Sequence, residues 1–432
     1  MHLRQNALLL ALLTALIAIL GAWSGDVSLA GAWRLPMALL LLGLAYEGWI
    51  AARARVSLTF DGDARGVLGR PSDLHVQLHH ELNRNTLVEI APDAPAVIEI
   101  DPAIRSVNVP ANEAAPTTFR ITPRRLGEHA WPALQARVAG PLGLAWWSRR
   151  LKSDFKLRVT PELLRDVASS IGVVTAGSRA RPVLGVGAEM LQLRAYRQGD
   201  PQHLIDWKAT ARSGRLVSRD FSEDQHIEIV IAIDLGRSSA LKAGDLDRFG
   251  HYANLAARFA EHAVRHDDRV GLITFADRPL VTVAPARGLT TVTRIRQILT
   301  ASRLVQAESN PLNAALRIRS LARHRSLIVL LTDLEDMTVA GQLASAARLL
   351  LPKHLPLIAA ISSAQAEAMR YREAQSWLDP YEALAAQEYC SQLERNVLAL
   401  RALGAPALLA RPENLERAVF DAYAEFRRKR RV

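Results

Sequence analysis

The chain holds one cysteine, Cys390, in 432 residues. No intramolecular disulfide is possible, and the cysteine usage points to no oxidising compartment. It has no glycine-rich phosphate loop ending in Lys, no nucleophile elbow and no His–Glu pair at metal-binding helical spacing. The twelve His are scattered. His262 and His266 stand one helical turn apart beside Arg265, a pattern that reads as a solvent face. These absences make the reading non-enzymatic. Aromatic residues are only 6%, and no helix-turn-helix or aromatic-studded strand accompanies the net charge of +11. A basic balance without such a pattern argues against specific nucleic-acid binding. It suits a surface held near an anionic inner leaflet. The run from Arg427 to Arg431 fits either partner, or simply a solvated end.

Long apolar runs, by contrast, are present. Ala7 to Trp23 carries no charge, and Leu35 to Ala52 carries only Glu47 near its end. Each approaches the ~20 residues an α-helix needs to cross a bilayer. Ser28-Leu-Ala30 would pass as a signal-peptidase site, but the second run argues for two transmembrane helices. Arg4 precedes the first; Arg53 and Arg55 follow the second; Asp26 and Arg34 lie between. The positive-inside rule puts both ends in the cytoplasm. A multi-pass inner-membrane protein with cytoplasmic soluble parts is expected.

Alternating runs follow: Val56 to Phe60, Leu74 to Leu78, Val97 to Ile100, Thr118 to Ile121, Leu134 to Val138 and Lys156 to Val159. Short strands punctuated by Pro, Gly, Asn and Asp predict a β-sandwich. From Glu228 the period changes. Ile229 to Ile233, Val270 to Phe275 and Leu327 to Thr332 are continuous apolar runs, as in strands buried on both faces. Val281 to Val283 reads as an edge strand; Leu357 to Ile361 and Pro406 to Leu409 are later strands. Helical patterns at Arg248–His266, 290–302, 312–322, 339–351 and from Asn414 alternate with them. The fold class expected is a doubly wound α/β domain behind two transmembrane helices and a β-sandwich. The divisions are 1–52, 53–161, 162–227 as linker and signature, and 228–432.

The densest polar segment runs from Leu193 to Arg212, reading Leu-Arg-Ala-Tyr-Arg-Gln-Gly-Asp-Pro-Gln-His-Leu-Ile-Asp-Trp-Lys-Ala-Thr-Ala-Arg. It closely resembles the signature of the membrane proteins grouped as domain of unknown function 58, which precedes a von Willebrand factor A-like (vWA) domain. Arg124-Arg-Leu-Gly-Glu-His129 and Gly140-Pro-Leu-Gly-Leu144 resemble the same family's sandwich, the second with Gly140 where Asp is usual. Two readings of the signature stand. In one, Tyr196, Gly199, Asp200, Asp206, Trp207 and Arg212 seat the linker on the α/β sheet, with Asp206 and Arg212 paired and Tyr196 and Trp207 as apolar anchors. In the other, outward-facing Arg194, Arg197 and Lys208 meet a partner.

In an open α/β sheet functional groups gather where strands end. Asp234 and Asp333 end two strands. Asp234-Leu-Gly-Arg-Ser238 resembles the first loop of the vWA metal-ion-dependent adhesion site, with Gly236 at a usual Ser position. The resemblance implies Asp234, Ser238, Ser309 and Asp333 as a degenerate ligand set, and Mg²⁺ as the ion a six-oxygen shell would take. A metal-free relic is the other reading, since a strand-end Asp also caps helices.

The resemblance further implies a MoxR-type AAA+ ATPase as partner and an adaptor role in protein assembly or remodelling. Two other classes remain: a metal-dependent ligand-binding protein acting alone at the membrane, and a membrane-associated nucleic-acid binder.

Overall fold

The computed structural model describes residues 2–24, 31–61, 65–111, 113–163, 184–185, 189–222 and 227–429. The connector with Asp26 and Ser28, most of the expected linker, and Arg430 and Arg431 lie outside the described residues.

Helices α1 (Gln5–Ser24) and α2 (Arg34–Arg53) are both long and apolar enough to cross a membrane. They pack on one another yet leave Leu8, Leu9, Leu12, Leu16, Leu39 and Leu42 exposed. Apolar surface left open to this extent suits lipid rather than water, and it associates the chain with a membrane. Glu47, the one acid in α2, is fully buried. Its carboxylate accepts the backbone N–H groups of Leu142, Leu144 and Ala145 at 2.8, 3.0 and 2.9 Å. A Cβ on Gly140 would run into that carboxylate. An acid from the second apolar helix thus holds the turn after Gly140.

Two facing sheets are formed by strands between Val56 and Thr160 together with His2–Leu3. One contains β1 (His2–Leu3), β3 (Arg65–Val67), β5 (Thr86–Ala91), β7 (Arg105–Val109), β9 (Gly127–Ala139) and β10 (Ala145–Thr160). Its order is β1-β10-β9-β5-β7, with β3 also on β10. The other is β2 (Val56–Asp61), β4 (Ser72–His80), β8 (Ala115–Pro123) and β6 (Ile98–Asp101), in the order β2-β4-β8-β6. Alternation does the packing: in β8 every second residue from Ala115 is buried. Phe60, Trp131 and Phe155 cluster between the sheets, Phe60 and Phe155 stacked with centroids 4.1 Å apart. All six strands expected from alternation are present; β1, β3, β5 and β7 were not foreseen.

The C-terminal part is a six-stranded sheet in the order β18-β17-β14-β19-β20-β21. Its strands are β14 (Glu228–Asp234), β17 (Arg269–Phe275), β18 (Pro279–Ala286), β19 (Ser326–Leu331), β20 (Leu355–Ile361) and β21 (Ala407–Ala410). All pair in parallel except the edge strand β18. Every residue of β14 and β19 is buried. Alternate residues enter two separate cores: Ile229, Ile231 and Ile233 one, Val230 and Ala232 the other. Helices α4 (Arg248–Arg265), α5 (Leu289–Ala301) and α10 (Pro412–Lys429) supply the first core; α6 (Pro311–Leu321), α7 (Met337–Leu350) and α9 (Asp379–Ala402) supply the second. The numbering leaves α3 and α8 to Trp207–Ser213 and Ala364–Arg370, and β15 and β16 to the short antiparallel pair Lys242–Ala243 and Leu246–Asp247. Helices α8 and α9 were not expected, although Ala386, Cys390, Leu393, Val397 and Leu400 are buried at helical spacing.

The two halves share one continuous apolar core, in which Leu68 and Leu246 both lie, and ion pairs flank it. Glu162 pairs with Arg258, and with Arg70 at 2.7 Å. Arg124 reaches Asp245 at 3.3 Å and Arg125 reaches Asp247 at 3.7 Å. The Arg124–His129 motif therefore faces the turn that opens α4.

Candidate functional site

Strand order reverses around β14: β17 lies on one side, β19 on the other. The crevice beyond their carboxyl ends is where open α/β sheets bind ligands. Asp234 and Asp333 both stand there, at the ends of paired strands.

Asp234 is completely buried. Its Oδ1 accepts the Gly236 N–H at 2.7 Å and the Ser309 hydroxyl at 2.5 Å. Its Oδ2 accepts the Thr332 hydroxyl at 2.7 Å. The Ser239 hydroxyl donates to the Asp234 carbonyl at 2.8 Å. Burial pushes the Asp234 carboxyl up from its ordinary value, and the three donors resist that rise. Ser309, from the loop before α6, thus closes on the loop after β14. Backbone bonds Val305 N–H to Leu235 O (2.8 Å) and Arg237 N–H to Ala307 O (3.0 Å) stitch the same loops.

Asp333 turns elsewhere. Its Oδ1 accepts the Glu335 N–H at 2.9 Å, and its Oδ2 lies 3.1 Å from Arg248 Nη1. The other guanidinium nitrogen bonds Glu335, which also accepts the Tyr389 hydroxyl from α9. Arg248 and Asp333 side chains are 7% and 8% exposed, so water screens this pair little. Burial raises the Asp333 carboxyl to about 6; Arg248 opposes the rise and Glu335 adds to it. The neighbouring carboxylates raise the Arg248 guanidinium against its desolvation.

Of the four proposed ligands, the structure brings Asp234 and Ser309 together. It sends Asp333 to Arg248, and it uses Ser239 rather than Ser238 on Asp234. Among the described residues no group of three or more His, Cys, Asp or Glu is placed to hold a metal. Mg²⁺ needs six oxygens in a tight shell. Here the oxygens of Asp234 are filled by protein donors, a guanidinium stands on Asp333, and position 236 brings no hydroxyl. A Cβ at Gly236 would meet the Ser309 Oγ well inside van der Waals contact. These residues do not fit a resident divalent ion.

Sequence reading missed Thr332, Tyr389 and Arg248. Thr332 was visible as a hydroxyl just before Asp333. Arg248 carried a subtler signal. It opens a helix capped by Asp247, and a cation at that end opposes the helix dipole unless anions hold it.

The signature segment forms its own small sheet, in the order β11-β13-β12, from β11 (Leu184–Gly185), β12 (Glu189–Ala195) and β13 (Val217–Ser222). Helix α3 sits in the connection, and the packing of the segment is largely internal. Gly199 has φ +106°, a region L side chains avoid. This lets the chain turn so that Asp200 accepts Arg197 N–H at 2.9 Å and a forked pair from Arg194 at 2.7 and 2.9 Å. Tyr196 donates its hydroxyl to Asp200 O at 3.1 Å. The Arg194 hydrogen bond, then the Arg197 amide, pull the Asp200 carboxyl down to about 2. Asp206 caps α3 through Lys208 N–H (3.0 Å) and Ala209 N–H (2.9 Å).

Three expectations are corrected here. Arg194 does not face outward; it is held by Asp200. Arg212 is exposed and does not pair with Asp206, whose facing cation is Arg219 at 3.7 Å; the carboxylate is already turned to the helix cap. Trp207 is no anchor: it is 66% exposed, because as the first residue of α3 it projects from a short helix packed mainly against β13. Arg197 and Lys208 are exposed.

The family model described as Protein of unknown function DUF58 matches residues 192–367, which bears out the resemblance read from the signature. No curated protein matches the chain. Among solved structures, BatB from Bacteroides thetaiotaomicron, a conserved hypothetical protein, is 14% identical; the match covers 46% of this chain and 98% of that one, with a TM-score of 0.32. An aerotolerance-related membrane protein from Bacteroides fragilis is 14% identical over 45% of this chain and 97% of that one, TM-score 0.28. Proximal thread matrix protein 1 from the mussel byssus, with a zinc-occupied MIDAS motif, is 12% identical over 46% and 45%, TM-score 0.27. Likenesses at these TM-scores do not establish a shared site.

Proposed function

We propose that the chain is a membrane-anchored, non-catalytic adaptor. In this reading α1 and α2 both span the inner membrane, the folded parts lie in the cytoplasm, and the six-stranded sheet is a doubly wound vWA-like domain. The partner is a MoxR-type AAA+ ATPase, as the signature's resemblance implies. The observation that carries the reading is the contrast inside the signature: its polar skeleton is bonded to itself while Trp207, Arg197, Lys208, Leu193 and Leu216 are exposed. A rigid turn that presents an aromatic among cations has the composition of a protein-binding hot spot. The crevice chemistry agrees, because the Asp234 carboxylate is occupied by the Ser309 and Thr332 hydroxyls and the Asp333 carboxylate by Arg248 rather than by a nucleophile.

Detergent extraction of the full-length chain and identification of co-purifying proteins tests it. An AAA+ ATPase is expected with the parent and is lost with Trp207→Ala at unchanged melting temperature. Recovery of random DNA with steep salt dependence would replace the adaptor by the nucleic-acid reading. Orientation is tested separately: Ser28→Cys is expected to react with an impermeant thiol reagent in whole cells, and Ser57→Cys only after permeabilisation. The reverse pattern overturns the topology.

A further inference from the structure

We propose that the Arg248 guanidinium does permanently, from within the chain, what a divalent cation would do at this crevice: it neutralises and ties together the Asp333 and Glu335 carboxylates beyond β19, so that the site is built without a metal. The inference does not depend on the adaptor reading.

The geometry carries it. Arg248 contacts Asp333 with Nη1 at 3.1 Å and Glu335 with Nη2. A planar fork meets two carboxylates in a way that an ammonium cannot. Glu335 in turn takes the Tyr389 hydroxyl, and Asn396 of the same helix donates to Leu334 O at 2.9 Å. One guanidinium therefore joins α4, the loop after β19 and α9, three elements meeting at the carboxyl edge. Tyr252, one turn along α4, donates to Thr332 O at 3.0 Å, and Thr332 donates to Asp234. Thr332 and Asp333 are consecutive, so the bonded cluster around Asp234 lies directly beside the one that Arg248 neutralises.

The cluster around Asp234 explains why Gly stands at 236. The space a side chain would take there is filled by the Ser309 hydroxyl, which donates to Asp234. An entering Mg²⁺ would have to strip Asp234 of bonded donors and displace Arg248 from Asp333. The first exchange removes buried hydrogen bonds and the second a buried ion pair, both costly to leave unmade. The placement of Arg248 also resolves an electrostatic oddity. A cation at the first position of an eighteen-residue helix is disfavoured by the helix dipole, and two carboxylates more than offset that.

The test uses the full-length chain in detergent, with melting temperature read in EDTA, in millimolar Mg²⁺ and in millimolar Mn²⁺. The parent is expected to melt identically in all three. Arg248→Ala is expected to melt several degrees lower in EDTA and to recover part of the loss in Mg²⁺ or Mn²⁺, since Asp333 and Glu335 are then open to a cation. Should the alanine variant fail to fold, Arg248→Gln, which keeps most of the bulk, is read the same way. Arg248→Lys keeps the charge and is expected to fold and stay indifferent to the ions. A parent that is stabilised by Mg²⁺ in a way Asp234→Asn abolishes overturns the proposal. So does a folded, neutral variant at position 248 that melts like the parent or gains no response to either ion.

Discussion

The carboxyl edge of the six-stranded sheet and the signature turn are built from the same residue types and solve opposite problems. Each has an aspartate served by several donors and an arginine that grips a carboxylate. At the edge these groups are buried: Asp234 is wholly covered and Arg248 nearly so. In the turn they are a scaffold near the surface, and the residues beside them point into solvent. The carboxylates register the difference. Burial pushes Asp333 up to about 6, whereas Arg194 and the Arg197 amide pull Asp200 down to about 2. The comparison teaches that a dense polar motif can be a core element or a display element, and that burial decides which.

The largest expected effect breaks the edge. Asp234→Ala leaves the Ser309 and Thr332 hydroxyls and the Gly236 N–H without their acceptor. Each buried unmet donor costs ~1–3 kcal/mol, so a loss of at least ~3 kcal/mol in chemical denaturation is expected. A loss under ~1 kcal/mol would show that the edge tolerates water and is not closed. Next comes Gly236→Ser, which the adhesion-site resemblance would have as a repair. The Ser309 hydroxyl already fills that space, and overpacking costs ~1–3 kcal/mol. Combining it with Ser309→Ala vacates the space and is expected to return part of the stability. A single Gly236→Ser substitution that stabilises the protein and confers Mg²⁺ binding would reverse the account of this loop.

That reversal shows what the sequence could and could not carry. The continuous apolar runs of β14, β17 and β19 and the alternation of β4 and β8 are periodicities, and both survive in the structure because burial on two faces or one dictates them. Asp234 and Asp333 were placed at strand ends for the same reason. What was not legible was the direction of each side chain. Nothing in Asp-Leu-Gly-Arg-Ser says that Ser239, one residue on, takes the backbone carbonyl, or that Arg248 crosses to Asp333 from 85 positions away. Glu47 is the same lesson at the membrane end, an acid whose partners lie about 95 residues on. Pairings of long sequence separation depend on the assembled fold, and a linear motif contains no record of them.

The two depressed and raised aspartates give a smaller effect of opposite sign. Asp333, with its folded pKa raised from 3.8 to about 6, contributes stability that is fully present below pH ~4 and is lost as pH rises through about 6. Two units correspond to at most ~3 kcal/mol. Relative to Asp333→Asn, the parent is therefore expected to lose stability between pH 4 and 7, read as a converging or crossing denaturation midpoint. Asp200 works the other way: its contribution is present above pH ~4 and disappears only as pH falls through about 2. Asp200→Asn is expected to show no change in relative stability between pH 5 and 8. A flat profile for Asp333→Asn would mean that the edge is solvated after all.

The smallest effect on stability belongs to the display side of the turn, and it separates the two regions most sharply. The side chains of Trp207, Arg197 and Arg212 are exposed. Surface substitutions of this kind usually stay within ~0.5 kcal/mol. Trp207→Ala and Arg197→Ala are expected to melt like the parent, and Arg212→Ala likewise, because Asp206 faces the helix cap and Arg219 instead. If the turn presents a binding surface, the first two lose the co-purifying partner while Arg248→Lys retains it. The pairing of readouts matters more than either alone. A Trp207→Ala protein that melts several degrees low would place this ring against something in the assembled molecule. The signature would then be a second buried network like the edge, and the contrast between the two regions would disappear. A Trp207→Ala protein with parental melting and parental partner recovery would leave the contrast standing in stability and move the binding surface off this turn.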